Sequence, residues 1–266
     1  MPHRIRAGYL IWLLAIPLLL TIPSCQINDY NSDPNYEFRE NFLFTRAVSG
    51  KTEVFISNVN GTITVIGVDT LAEARISGTK IVKDQSEDAA MQHMADITVD
   101  VQEPASTITI RSLQPNTSDR RTYQVNYEVI VPSSWRVTVN NVNGNVDVQN
   151  FRNTVTSSVV NGIVNATDIA GSFNVGITNG TINGKVYLPE NGSCVLSLVN
   201  GNVSLLVPRT LSASVSASVT LGTVSVTNLP ITYSTNTRTS VVGVAGGGKG
   251  TVRLSSVNGV VQLIGL

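Results

Sequence analysis

Apolar and polar residues alternate along most of this chain, and an Asn-Gly pair interrupts the alternation at intervals. The pattern is clearest in "VNGNVDV" at Val142, and close copies begin at Val59 (VNGTITV), Val160 (VNGIVNA), Thr178 (TNGTING), Val199 (VNGNVSL) and Val257 (VNGVVQL). Alignment on the glycine adds a copy at Gly222, so the column reads Gly61, Gly144, Gly162, Gly180, Gly201, Gly222 and Gly259. Two residues after each glycine stands a β-branched residue: Ile63, Val146, Val164, Ile182, Val203, Val224 and Val261. Four after come Val65, Val148, Ala166, Gly184, Leu205, Val226 and Leu263, and seven before come Val54, Val137, Val155, Phe173, Cys194, Val215 and Val252. Period-two alternation rich in β-branched residues predicts strands. Asn-Gly supplies the positive φ of a sharp corner.

From Gly144 to Gly222 the steps are 18, 18, 21 and 21 residues, and the last step, 37, is about two such periods. Each period therefore holds two short strands and two corners. The second corners fall at Asn150 (NFRN), Asp168 (DIAG), Pro189 (PENG), Val207 (VPRT) and Asn228 (NLP). Two all-β foldings fit. In a β-solenoid each period is one coil stacked on the next at about 4.8 Å. In an antiparallel meander each Asn-Gly is a type I′ hairpin turn. Near-constant repeat length and one residue type at one corner favour the solenoid, with an amide ladder along that corner. The pairs Asn60–Gly61, Asn143–Gly144, Asn161–Gly162, Asn179–Gly180, Asn200–Gly201 and Asn258–Gly259 are the expected structural turn residues.

The N-terminal part breaks the pattern. Gln26 to Asn41 is polar and without periodicity, and reads as a tether. "DQSEDAAMQHMADI" predicts a soluble helix, with Asp84 and Glu87 resembling a capping box and Ala90, Met91, Met94 and Ile97 on one face. Strands are expected at "DITVDVQ", "STITIRSL" and "YQVNYEVIVP". The resulting division is residues 1–24 a leader, 25–47 a tether, 48–134 an α+β cap carrying the first repeat copy, and 135–266 the repeat domain. A cap is expected because an open end of a repeat stack exposes unpaired strand edges.

The leader carries Arg4 and Arg6 and an apolar run, Leu10 to Ile22, as long as a secretory h-region. "IPSC" then resembles the bacterial lipoprotein signal, which makes Cys25 the expected lipidation site and the start of the mature chain. Pro23 departs from the usual small or polar residue of that signal. The other cysteine, Cys194, sits in a strand-like run without nearby basic residues and is read as a small buried hydrophobe. No disulfide is expected.

Charge narrows the chemistry. Gln26 to Pro132 holds 15 acids and 9 bases, whereas Ser133 to Leu266 holds only Asp147, Asp168 and Glu190 against seven dispersed bases. Dispersed bases without interleaved aromatics argue against nucleic acid. Asp147 and Asp168 lie one period apart but at different phases, a weak basis for a glycosidase pair. His93 is the one histidine outside the leader, too few for a histidine triad or zinc site. "GVAGGGKG" matches part of a phosphate-binding loop, but Gly250 replaces the required Ser or Thr and a strand follows instead of a helix. No catalytic residue, metal or cofactor is expected.

"YEVIVPSSWRVTVNNVNGNVDV", the recurring V-N-G copies and the closing "GKGTVRLSSVNGVVQL" resemble the bacterial putative-adhesin family of β-strand repeats, over about Lys51 to Leu266. The resemblance implies a right-handed β-solenoid exported to the cell envelope, held on a lipid or membrane anchor. It brings no catalytic residues. The expected function is a non-enzymatic, envelope-anchored binding module or adhesin, with a glycan or protein ligand on an outer face and the membrane as its other partner. The alternatives are a structural or self-assembling envelope scaffold, or a periplasmic docking partner of an envelope-stress system.

Overall fold

The computed structural model describes residues 36–115 and 120–266, so the leader and Cys25 lie outside the described residues. The elements in chain order are β1 (Tyr36–Ala47), β2 (Glu53–Asn60), β3 (Ile63–Val68), β4 (Glu73–Asp84), a short helix α1 (Glu87–Gln92) running into a 3-10 turn (His93–Asp96), β5 (Thr98–Gln102), β6 (Thr107–Leu113) and β7 (Thr122–Pro132). There follow β8 (Arg136–Asn143), β9 (Val146–Phe151), β10 (Val155–Ile169), β11 (Phe173–Val186), β12 (Ser193–Val207), β13 (Ala213–Thr227), β14 (Ile231–Asn236), β15 (Ser240–Ala245) and β16 (Gly250–Gly265). The chain is nearly all-β, and its strands form one large mixed sheet.

Through the repeats the pairing is parallel and in register, one repeat against the next. β2 and β3 lie against β8 and β9, these against the two halves of β10, and β10 against β11 and then β12. Asn60 faces Asn143, Asn143 faces Asn161, Asn161 faces Asn179 and Asn179 faces Asn200. The antiparallel meander is thus not the arrangement of the repeats. Nor is the Asn-Gly pair a hairpin turn: β10, β11, β12, β13 and β16 each run through their own copy of the corner as one strand of 14 to 16 residues. The glycine bends the strand at φ between 127° and 157° while backbone hydrogen bonds to the neighbouring repeat continue. A hairpin would reverse the chain, whereas this bend turns it and keeps the ladder.

The last copy is out of order. β16 lies between β12 and β13 and is parallel to both, so Asn258 faces Asn200 on one side and Leu221 on the other. The 37-residue step from Gly222 to Gly259 is therefore not two stacked periods. After β13 the chain makes an antiparallel pair, β14 with β15, against the first half of β13, and then returns through a glycine-rich turn to fill the slot. Alternating apolar residues suit β16 to that central position, where both edges are bonded and Val252, Leu254, Val261 and Leu263 enter the core on either side of the corner.

At the other end β7 lies parallel to β3, with β4 and β1 added antiparallel beyond it, while β6 and β5 extend the β2 side. The tether reading of 25–47 is corrected for Tyr36–Ala47, which pair with β4 along their whole length, and its first part lies outside the described residues. Their alternation was obscured by Glu40, a charged residue on the same face as the core-packed Phe38, Phe42 and Phe44. The helix is shorter than expected and is capped by Ser86, whose side chain accepts from the Ala89 amide, not by Asp84. Asp84 instead accepts from the Gln85 amide and pairs with Arg121 and His93. Ala90, Met94 and Ile97 enter the core, but Met91 points outward and is 54% exposed.

One core runs the length of the stack, between the two strand halves of each repeat. Val54, Val137, Val155, Phe173, Cys194, Val252 and Val215 form one buried column in stacking order. Facing it, Val65, Val148, Ala166, Gly184, Leu205 and Leu263 form another, which the half-buried Val226 ends. Cys194 is buried in the first column, and burial pushes its thiol up to about 12.

Candidate functional site

Each repeat has two ends, the Asn-Gly corner and the second corner, and they differ in chemistry. At the first, the six asparagines form a continuous chain of side-chain amides. Asn143, Asn161, Asn179, Asn200 and Asn258 each donate Nδ2 to Oδ1 of the asparagine before them in the stack, at 2.7–2.9 Å. Asn60 ends the row by donating to the Tyr123 carbonyl at 3.1 Å. On the other side the row stops at Leu221, which occupies the asparagine position and is 67% exposed. Behind each asparagine the glycine backbones are in such close contact that a Cβ on Gly180 would overlap the Gly162 carbonyl oxygen. These groups bond one another along the stack, which makes the corner a spine.

A second polar group is enclosed at the N-terminal end of that spine. Asn58 donates to the carbonyls of Asn60 and Val125 at 3.2 and 3.0 Å and accepts from Ser112 Oγ, which lies 2.9 Å from the Tyr127 hydroxyl. Burial pushes the Tyr127 phenol up to about 12. Being enclosed, this group fixes the cap to the first repeat and offers nothing to a ligand.

The second corner is open. A cleft of about 810 Å³ runs across four successive repeats and is lined by Gly67–Thr70, Asn150, Arg152, Asp168, Ala170 and Tyr187. Asn150 and Asp168 adopt left-handed backbone, with φ of 61° and 56°, so each chain bulges outward and turns at the rim. Asp69 accepts from Ser133 Oγ at 2.7 Å and from the Arg152 guanidinium at 2.6 Å. The Ser133 bond first, and Arg152 second, hold the Asp69 carboxyl below the usual carboxylate range. Lys185 donates to Asp168 at 2.8 Å and stands 5.5 Å from the centre of the Tyr187 ring. Asp168 first, then Tyr187, keep the Lys185 ammonium above its ordinary value. Tyr187 is 41% exposed and also borders a smaller depression lined by Leu188, Glu190, Pro208, Thr210, Leu211 and Ser212.

The two acids considered as a catalytic pair do not meet. Asp147 accepts from Asn165 at 2.8 Å, and Asn165 from Asn183 at 2.9 Å, while Asp168 belongs to Lys185 at the cleft. His93 lies 3.0 Å from Asp84 and 2.8 Å from the Ala89 carbonyl, on the cap. In the glycine-rich turn Lys249 pairs with Glu190 at 2.5 Å. No group of three or more His, Cys, Asp or Glu side chains is gathered for a metal among the described residues.

Sequence reasoning located the second corners but not the cleft. Its signal was there: of the ten charged residues after Ser133, four (Arg152, Asp168, Glu190 and Arg209) lie in these corners and two more (Asp147 and Lys185) stand three and four residues before one. Asp69 and Tyr187 were missed because only the stacking order shows that "GVDT", "NFRN", "DIAG" and "KVYLP" are neighbours.

No protein-family model matches the chain, and no curated protein sequence matches it. Among solved structures it is similar to a putative cell adhesion protein from Clostridium sporogenes, at 10% identity and a TM-score of 0.48, covering 86% of this chain and 100% of the other. It is also similar to a putative adhesin from Bacteroides fragilis, at 12% identity and a TM-score of 0.30, covering 85% and 97%. A putative adhesin from Parabacteroides distasonis, at 9% identity and a TM-score of 0.28, covers 84% and 97%.

Proposed function

We propose that this chain is a non-catalytic binding module of the bacterial cell envelope, an adhesin whose repeats form a right-handed β-solenoid and whose ligand site lies at the second corner. The observation that carries this reading is the cleft beside Tyr187. An exposed ring and two ion pairs converge there, on a stretch of chain that is otherwise poor in charge. A concave surface with a few convergent polar groups and an aromatic ring is what ligand recognition requires. The acids stand apart and are already bonded, so they support recognition better than proton transfer.

Envelope anchoring rests on the leader and on Cys25, which a lipid would tether to the membrane. The scaffold alternative is less well supported, because non-repeat strands occupy most of the sheet's edges: β1, β5 and β14 end it in antiparallel pairs, and of the repeat strands the second half of β13 is bonded by β16 on one side only. These added antiparallel strands cover repeat edges that would otherwise template a further parallel repeat. Protease shaving of intact cells expressing the tagged chain, beside a Cys25→Ser variant, tests the reading. A wild-type chain that is membrane-bound and cleaved from outside, with the variant released, is the expected result. A membrane-bound chain protected until the outer membrane is opened would sink the adhesin reading and favour a periplasmic scaffold or docking role.

A further inference from the structure

We propose that the cleft beside Tyr187 binds a neutral oligosaccharide. This rests on the binding-module reading and narrows it to a ligand class.

Three features of the cleft select that class. The first is charge. Asp69 and Asp168 are matched by Arg152 and Lys185, and each carboxylate is already bonded to its partner. The site therefore has no net charge with which to attract an anion or a cation, and a strongly charged ligand would have to break an ion pair to be held. The second is the kind of polar group left over. A paired carboxylate keeps free lone pairs, and a guanidinium bound through one nitrogen keeps free N–H groups. Asp69, Asp168 and Arg152 thus offer acceptors and donors together, which suits hydroxyl groups, since each hydroxyl both donates and accepts.

The third is the ring. A pyranose has an apolar C–H face beside its hydroxyls, and an exposed tyrosine buries that face while its own hydroxyl stays polar. The cleft supplies this ring at one end and the Asp69–Arg152 pair at the other, with Asp168 between. These residues stand on four successive repeats, so at about 4.8 Å per step the row is on the order of 14 Å long. That length suits an extended chain of sugars better than a single one. By contrast, the groove at the C-terminal end, about 430 Å³, is lined by Tyr233, Val242 and Val244 with one cation, Arg253, and lacks any carboxylate.

The test uses the full chain in detergent and a panel of immobilised neutral oligosaccharides built from glucose, galactose, mannose and N-acetylglucosamine, beside sulfated and uronic-acid counterparts. The expected result is binding to at least one neutral member, changed less than about twofold by salt, because no charge on the ligand is there to be screened. Tyr187→Ala is expected to weaken it at least tenfold and Asp168→Asn severalfold, while Tyr233→Ala leaves it unchanged. Asparagine tolerates the left-handed backbone at residue 168, so that variant removes the carboxylate and keeps the fold. Three outcomes overturn the proposal: no neutral member bound, binding confined to the acidic members, or binding indifferent to both cleft variants. A chain that still adheres to cells while binding no neutral oligosaccharide would leave the binding-module reading standing and remove this one.

Discussion

The Phe173 ring fills the space that Gly184 leaves on the facing strand half of the same repeat. A Cβ on Gly184 would stand 3.0 Å from the ring and 3.2 Å from a Leu205 methyl. Phe173 is the largest side chain in its column and Gly184 the smallest in the facing one, so the core keeps its width through this repeat. Phe173→Val is expected to cost about 2–4 kcal/mol through the cavity it leaves. Gly184→Val should cost about 1–3 kcal/mol by overpacking. The double variant should recover much of both losses, with a coupling of about 1–3 kcal/mol in urea unfolding. Costs that simply add would show that the two residues do not share one space.

Both columns were legible in the sequence as period-two positions on either side of the glycine, and so were the repeat and the all-β class. Their complementary sizes were not, because alternation shows which residues face inward and not which of them face each other. The place of β16 was hidden for a similar reason. "TVRLSSVNGVVQL" repeats the motif as well as any copy does, yet nothing in it says that it pairs with β12 and β13 at once. The cleft was the least legible part, since Asp69 and Tyr187 lie more than 100 residues apart in sequence and come together only through the stack.

The glycine spine predicts a sharp contrast between two alanine substitutions. Gly180 has φ of 150° and no room for a Cβ against the Gly162 carbonyl, whereas Gly176, on the same strand, has open space around it. Gly180→Ala should lose roughly 2–5 kcal/mol, from backbone strain and overlap together. Gly176→Ala should stay within about 0.5 kcal/mol of the wild type. Equal urea midpoints for the two variants would contradict the close stacking of the corner.

At the cleft, the Ser133 hydroxyl is expected to control the titration of Asp69. The bonded carboxyl titrates below the ordinary value of about 3.9. Its contribution is therefore complete above that value and lost only as pH falls through the lower, folded pKa. Carboxyl NMR should show the Asp69 midpoint rising toward 3.9, about its ordinary value, in Ser133→Ala. An unmoved midpoint would mean that the hydroxyl does not bond the carboxylate in solution.

Cys194 should resist alkylation in the folded protein. Burial holds its thiol up to about 12, against about 8.5 for a free cysteine. The neutral thiol therefore favours the folded state fully below about pH 8.5, and that contribution is lost as pH rises toward the folded value. Iodoacetamide at pH 9 should leave Cys194 unmodified in the native protein and label it in urea. Rapid labelling without denaturant would place Cys194 outside the core.

The central claim is that the Asn-Gly corner is a spine and the second corner carries the ligand. The most direct test is adherence of cells displaying the chain to surfaces of neutral oligosaccharides, compared at equal amounts of folded protein for the wild type, Asn179→Ala and Tyr187→Ala. Asn179→Ala removes the side-chain bonds to Asn161 and Asn200 and should cost about 1–2 kcal/mol of stability. Wild type and Asn179→Ala should adhere alike, and Tyr187→Ala should not. Adherence lost with Asn179→Ala and kept with Tyr187→Ala would contradict it.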